Sequence, residues 1–176
     1  GGISQQALTF TNCFGPRVQG QGTSRCATSR EEWATAVGGE VLDTSAGPVF
    51  WKATIGPIGG DGWFGPLGVI GNPQPQAASY LDPTTFGWRG LPSQAQVWIA
   101  GTNTPGHGGW PINGFNKAGG DVVIFKLEDQ QLSMRHQRLG RTFTMPTNGV
   151  AGLRVHAAFY SPSSVELSPV EPHEEF

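Results

Sequence analysis

Apolar and polar positions alternate in short blocks along this chain, and the blocks have the length of strands rather than helices. The clearest stretch lies between Gly119 and Phe143. Val122, Val123, Ile124, Phe125 and Leu127 form a nearly continuous apolar run rich in β-branched residues, as expected of a strand covered on both faces. Glu128, Asp129 and Gln130 then supply a polar turn. Beyond it Leu132 and Met134 alternate with Ser133 and Arg135, so the returning strand buries one face and wets the other. Together these predict a β-hairpin at the centre of a sandwich. Nearer the end, Leu153, Val155, Ala157 and Phe159 alternate with Arg154, His156, Ala158 and Tyr160, the pattern of a half-buried strand.

Other blocks fit the same scheme. Strands are expected over Ala7–Asn12, Glu40–Leu42, Val49–Ile55, Trp63–Val69 and Ala95–Ile99, separated by Gly and Pro clusters. Within Val49–Ile55, Trp51, Ala53 and Ile55 share one face and Phe50, Lys52 and Thr54 the other; in Ala95–Ile99, Val97 points inward and Trp98 sides with Gln94 and Gln96. Ser29-Arg30-Glu31-Glu32 matches a capping box and admits a short helix over Ser29–Val37 that carries Trp33 inward. Residues 72–82 have no periodicity and read as a loop. Residues 101–120 form a longer, Gly-rich one that nevertheless holds Trp110, Ile112 and Phe115.

A chain of 176 residues fits one domain with a single core, here residues 1–170, and an acidic mobile end or linker over 171–176. With 27 Gly, 14 Pro and only 14% charged residues it has the composition of a turn-rich β protein. A net charge of −2 gives no general attraction to nucleic acid or to an anionic membrane. No apolar run is long enough to span a bilayer, and no signal peptide opens the chain. It begins at Gly1-Gly2 without an initiator Met, as a segment cut from a longer protein would. Cys13 and Cys26 leave open one disulfide between neighbouring strands or two reduced, half-buried thiols, the second being the reading for an intracellular β domain.

Candidate chemistry is sparse. His107, His136, His156 and His173 join no nucleophile motif, and neither a zinc spacing, a phosphate-binding Gly-Lys loop nor an Asp-rich calcium loop is present. Gly59-Gly60-Asp61-Gly62 reads as a tight turn. Arg135, Arg138 and Arg141 read as a solvated outer face rather than an anion site, and His156 as a surface or inter-sheet histidine. No catalytic role and no cofactor are therefore expected. Trp51, Trp63, Phe125, Phe143 and Phe159 lie on predicted strands and belong to the core. Tyr80, Trp110, Phe115 and Tyr160 lie in loops or at a strand exit, flanked by Gly, Pro, Asn and Ser, as on surfaces that recognise peptides. The same aromatics folded back over the core as lids remain an open alternative.

Gly120-Asp121-Val122-Val123, Leu127, Leu132-Ser133-Met134, Gly140 and Phe143 resemble the hairpin of SPRY (B30.2-type) domains. Phe50-Trp51-Lys52-Ala53, Gly62-Trp63-Phe64 with Gly68-Val69, Phe86-Gly87-Trp88 and Val165-Glu166-Leu167 are similar to further pieces of that family in the same order, over residues 40–170. Lys52 departs from an acidic residue there, and His136-Gln137 from an Asn-Gly turn. The resemblance implies an all-β fold, a bent jelly-roll or concanavalin-like sandwich of two antiparallel sheets with at most one or two short helices. It also implies a non-catalytic, monomeric, cytoplasmic or nuclear module that grips a peptide or protein, as the target-selecting domain of a ubiquitin ligase or substrate receptor does. Tyr80, His107, Trp110, Pro111, Asn113, Phe115 and Tyr160 are the expected partner-binding residues. Two alternatives compete: a lectin-like module in which Asn113 and Asn116 beside Trp110 take sugar hydroxyls, and a domain that merely covers another part of its parent.

Overall fold

The computed structural model describes residues 8–14, 18–19, 24–29, 31–90 and 92–176. Among them lie fourteen strands: Phe10–Phe14 (β1), Val18–Gln19 (β2), Arg25–Thr28 (β3), Ala34–Gly38 (β4), Val49–Ile55 (β5), Phe64–Ile70 (β6), Thr85–Gly90 (β7), Ala95–Ile99 (β8), Thr102–Asn103 (β9), Val122–Glu128 (β10), Gln131–His136 (β11), Arg141–Pro146 (β12), Arg154–Phe159 (β13) and Ser163–Ser168 (β14). They form two seven-stranded antiparallel sheets packed as a β-sandwich, ordered β1-β4-β13-β6-β7-β8-β9 and β12-β11-β10-β5-β14-β3-β2. The only helical turns among the described residues are three 3-10 pieces, Ser79–Leu81, His107–Gly109 and Pro172–Glu174.

Alternation decides which side chains meet between the sheets. The first contributes Ala34, Ala36, Leu67, Val69, Phe86, Trp88, Val97, Val155, Ala157 and Phe159. The second contributes Trp51, Ala53, Ile55, Val123, Phe125, Leu127, Leu132, Met134, Phe143, Val165 and Leu167, and both sets join one core. Trp51 and Phe125 are direct cross-strand partners whose rings stack at 5.1 Å, and Trp88 reaches Phe125 from the opposite sheet at 6.2 Å. The predicted hairpin is present in full: β10 pairs with β11 from Val123↔His136 to Glu128↔Gln131, and Asp129 takes a positive φ of 48° in the turn.

Four expectations change. The Ser29–Val37 helix is instead strand β4, seated between β1 and β13; Arg30 of the capping box lies outside the described residues, as do Ala7 and the side chain of Cys13. Glu40–Leu42 is not a strand, although Leu42 N donates to Leu153 O at 2.8 Å. Strand β13, expected to wet one face, is buried on both, because it lies mid-sheet under residues 71–84. Residues 171–176 pack on the outer face of the second sheet rather than trailing free. Lys52 Nζ pairs with Glu174 Oε1 at 3.0 Å, and the Phe176 ring meets Phe50 at 5.9 Å and the Arg135 guanidinium at 4.9 Å.

Candidate functional site

The loop between β6 and β7 folds over the outer face of the first sheet, and polar side chains fix it there. Thr84 Oγ1 accepts from Gly71 N at 3.1 Å and Asn72 N at 3.0 Å, while Asp82 Oδ1 accepts from Thr84 N at 2.8 Å. Burial pushes the Asp82 carboxyl up, but the hydrogen bonds from Thr84 and Asn72 outweigh it and hold it below the usual range. Deeper in, Thr35 Oγ1 donates to Ala77 O at 2.9 Å, Ser79 Oγ lies 2.6 Å from Thr35 Oγ1, and His156 Nε2 lies 2.8 Å from Ser79 Oγ. Counting protons orients this chain: Thr35 spends its one hydrogen on Ala77, so Ser79 donates to Thr35 and His156 Nε2–H donates to Ser79. The histidine therefore gives a proton to the serine hydroxyl instead of taking one. This buried Ser–His pair staples the loop and is not arranged as nucleophile and base. Complete burial pushes His156 down to about 3, so its ring is neutral.

Beside the staple, side chains from five parts of the sequence converge. Ala34 of β4 pairs with Phe159 of β13, Phe159 with Phe64 of β6, and Phe64 with Gly90 of β7, so these strand ends lie side by side. Each neighbouring position then points away from the core by alternation, which brings Trp33, Tyr160, Trp63 and Arg89 together on the outer face. Tyr80, one residue past the staple, completes the group. Trp33 stacks on Tyr80 at 4.5 Å and meets Tyr160 at 5.1 Å, Trp63 meets Tyr160 at 5.6 Å, and Tyr80 stands edge-on to Trp98 at 4.9 Å. The Arg89 guanidinium sits beneath three rings, 4.7 Å from Trp63, 4.9 Å from Trp33 and 5.3 Å from Tyr80. Arg89 is only 3% exposed, whereas Trp63 is 37% and the adjoining Leu81 60% exposed. Burial lowers Arg89 to about 10, which leaves it charged at neutral pH. The result is a rim of partly open rings around a buried cation.

The long loop before β10 behaves differently. Trp110 is 2% and Phe115 4% exposed, so the lid alternative holds for both and neither offers an open face to a partner. Trp110 Nε1 donates to Arg89 O at 3.1 Å, and its ring meets Phe115 at 5.0 Å and Phe143 at 5.1 Å. The lid is tied down at Asp121, which is buried and accepts from Arg138 Nε at 2.7 Å, Arg138 Nη2 at 3.2 Å and Asn116 N at 2.6 Å. Burial raises the Asp121 carboxyl, and these bonds with the Arg138 charge outweigh it, holding it below the usual range. His136 Nδ1 accepts from Leu139 N at 3.3 Å, so Nε2–H donates to Gly114 O at 2.7 Å, and burial first of all keeps the ring's affinity for a proton low. Arg138 is thus paired with a buried carboxylate while its own side chain stays 39% exposed.

Of the seven expected partner-binding residues, Tyr80 and Tyr160 enter the aromatic rim. His107 and Pro111 are half-buried and Asn113 is exposed, and among the described contacts none of the three touches the rim. With Trp110 buried, the sugar-binding trio expected around it has no ring to stack on. Trp33, Trp63, Leu81 and Arg89 escaped the sequence reading. Trp63 was assigned to the core, yet it flanks the inward Phe64 and faces out; the alternation that signals this was present in the chain. Among the described residues no three His, Cys, Asp or Glu side chains gather as metal ligands would, and no helix is long and apolar enough to cross a membrane.

No protein-family model matches the chain, and no curated protein matches it by sequence. Solved structures do. The TRIM65 PSpry domain superposes with a TM-score of 0.68 at 13% identity, covering 94% of this chain and 90% of that one. The SPRY domain of human HERC1 gives a TM-score of 0.63 at 13% identity, covering 88% of this chain and 93% of that one. Identity this low speaks to architecture alone, and both likenesses run across nearly the whole of each chain. This chain has the fold of SPRY domains.

Proposed function

We propose that this domain is a non-catalytic interaction module that holds a peptide or protein partner on the rim of Trp33, Trp63, Tyr80 and Tyr160, with Leu81 at its edge. The observation that carries the reading is the convergence of partly open aromatic rings at the ends of three adjacent strands, β4, β13 and β6, with Tyr80 of the stapled loop. Such rings provide large contact area at small entropic cost, and a sheet end and a stapled loop hold them in place before a partner arrives. SPRY-type solved structures of similar extent support an interaction role, as fold-level analogy. The finer reading follows the family resemblance of the β10–β11 hairpin: a target-selecting domain within a larger intracellular protein such as a ubiquitin ligase or substrate receptor.

The test is affinity capture with the intact chain beside Trp63→Ala and Tyr80→Ala, each first shown to be folded by near-ultraviolet circular dichroism. Loss of a specific captured protein from both rim variants, with retention by Asn113→Ala, is the expected result. Each rim truncation should weaken binding by about 2 kcal/mol or more, as at an aromatic hot spot. Unchanged capture by the rim variants would remove the rim from the function, and a glycan array on the same proteins would then test sugar stacking on Trp63.

A further inference from the structure

Arg89 carries a positive charge for which the chain supplies no counter-ion. All 13 Asp and Glu of the sequence fall within the described residues, and no ion pair among those residues reaches Arg89. Its Nη1 donates to Gln96 Oε1 at 3.3 Å, an oxygen already shared with Trp98 Nε1 at 3.2 Å. The remaining donors, Nε and Nη2, are buried and meet no acceptor among the described residues. A buried charge left this way is normally paired or removed, because desolvation is costly.

The two orphan donors are not scattered. Nε–H and Nη2–H lie on one edge of the guanidinium plane, and that edge takes both oxygens of a carboxylate. The same protein shows the arrangement filled elsewhere: Arg138 turns Nε and Nη2 to Asp121 Oδ1 and Oδ2 at 2.7 and 3.2 Å. Arg89 therefore presents the fork that Arg138 has closed, under rings of which Trp63, 37% exposed, is the most open.

We infer that the partner held on the aromatic rim delivers a carboxylate to Arg89, passing beside Trp63 to close the Nε/Nη2 fork. The ligand class is an acidic peptide segment, its carboxylate coming from an Asp or Glu side chain or from a free C-terminus. This rests on the rim being the binding surface, as proposed above. Its specificity is asymmetric: a neutral amide isostere pairs one donor with its carbonyl oxygen but turns an NH2 toward the other, so it is rejected by more than a lost contact.

Three pentapeptide pools test it on the intact chain, where X is an equimolar mixture of uncharged residues: Ac-XXEXX-amide, Ac-XXQXX-amide and Ac-XXXXX with a free carboxyl terminus. Nitrogen-15 NMR reads the Arg89 Nε–H and the Trp33 and Trp63 indole N–H signals. The Glu pool or the free-carboxylate pool should move these signals at concentrations at least tenfold below the Gln pool, and which of them does so names the source. Arg89→Met should erase that difference, and because the pools are compared on the unmodified chain, a poorly folded variant does not decide the outcome. If all three pools shift the indoles equally, the carboxylate fork is overturned while the rim stands; if none shifts them, rim and fork fall together.

Discussion

The six tryptophans make the residue-scale case that sequence position alone does not assign a ring its role. Trp51, Trp88 and Trp110 are exposed by 2% or less, while Trp63 is 37% exposed. Trp110→Ala should therefore cost about 3–5 kcal/mol by urea denaturation, as a large core deletion does, whereas Trp63→Ala should cost less than about 1 kcal/mol, as is usual at the surface. Equal losses would put Trp63 in the core after all. His156 gives a second residue-scale prediction. Its folded value, about 3, lies below the ordinary 6.5, so the unfolded chain binds the proton more readily. Stability is then complete above pH 6.5 and falls on acidification by about 1.4 kcal/mol per pH unit. Between pH 6.5 and about 4.5 that loss precedes carboxylate titration. Urea midpoints measured in this window should slope for the parent and slope less steeply for His156→Gln, the remainder belonging to the buried His136, whose affinity for a proton is also lowered by burial. The alternation of its strand reads this histidine as a surface or inter-sheet residue, and no local pattern announces that a distant loop will cover the polar side.

At the scale of elements, short-range logic was readable where sheet and turn chemistry agreed. The β10–β11 hairpin carries its strands, its polar turn and its register in consecutive residues, and β5 alternates as its side chains require. The misreadings are places where tertiary context overrides local preference. Ser29–Glu32 has the letters of a helix start, but Ala34 to Val37 have two sheet neighbours, β1 and β13, whose hydrogen bonds outweigh a local cap. The loop over 104–120 owes its form to side chains contributed by the hairpin. Arg138→Ala should leave the Asp121 carboxylate with Asn116 N–H but without its charged partner, at a cost of about 1–2 kcal/mol, less than for a fully buried pair because Arg138 is itself 39% exposed. Hydrogen exchange should then quicken across residues 110–120 before it does in β10. Uniform protection across that loop would show that the Trp110 and Phe115 rings hold it unaided.

The whole molecule was legible as an architecture and much less so as a site. Family-like pieces in order, from Phe50-Trp51 to Val165-Glu166-Leu167, sufficed for a sandwich because the short ones fall on or lead into single strands, β5, β6, β7 and β14, and the hairpin piece covers β10 to β12. The rim has no such signature: Trp33, Trp63, Arg89 and Tyr160 are far apart in sequence and meet only through the registers of β4, β13, β6 and β7. Arg89 looks unremarkable in Trp88-Arg89-Gly90 until the absence of a facing carboxylate is visible. Those registers also set a scale. The four strand ends span three spacings of about 4.8 Å, or roughly 14 Å of backbone, yet the rings of Trp33 and Trp63 lie 4.9 and 4.7 Å from one guanidinium, so their side chains draw together into a compact cluster rather than a ruler. Each strand end adds one side chain to that cluster. Because each anchor is a lone outward residue beside a core position, evolution can redraw the recognised motif one strand at a time without touching the sandwich beneath.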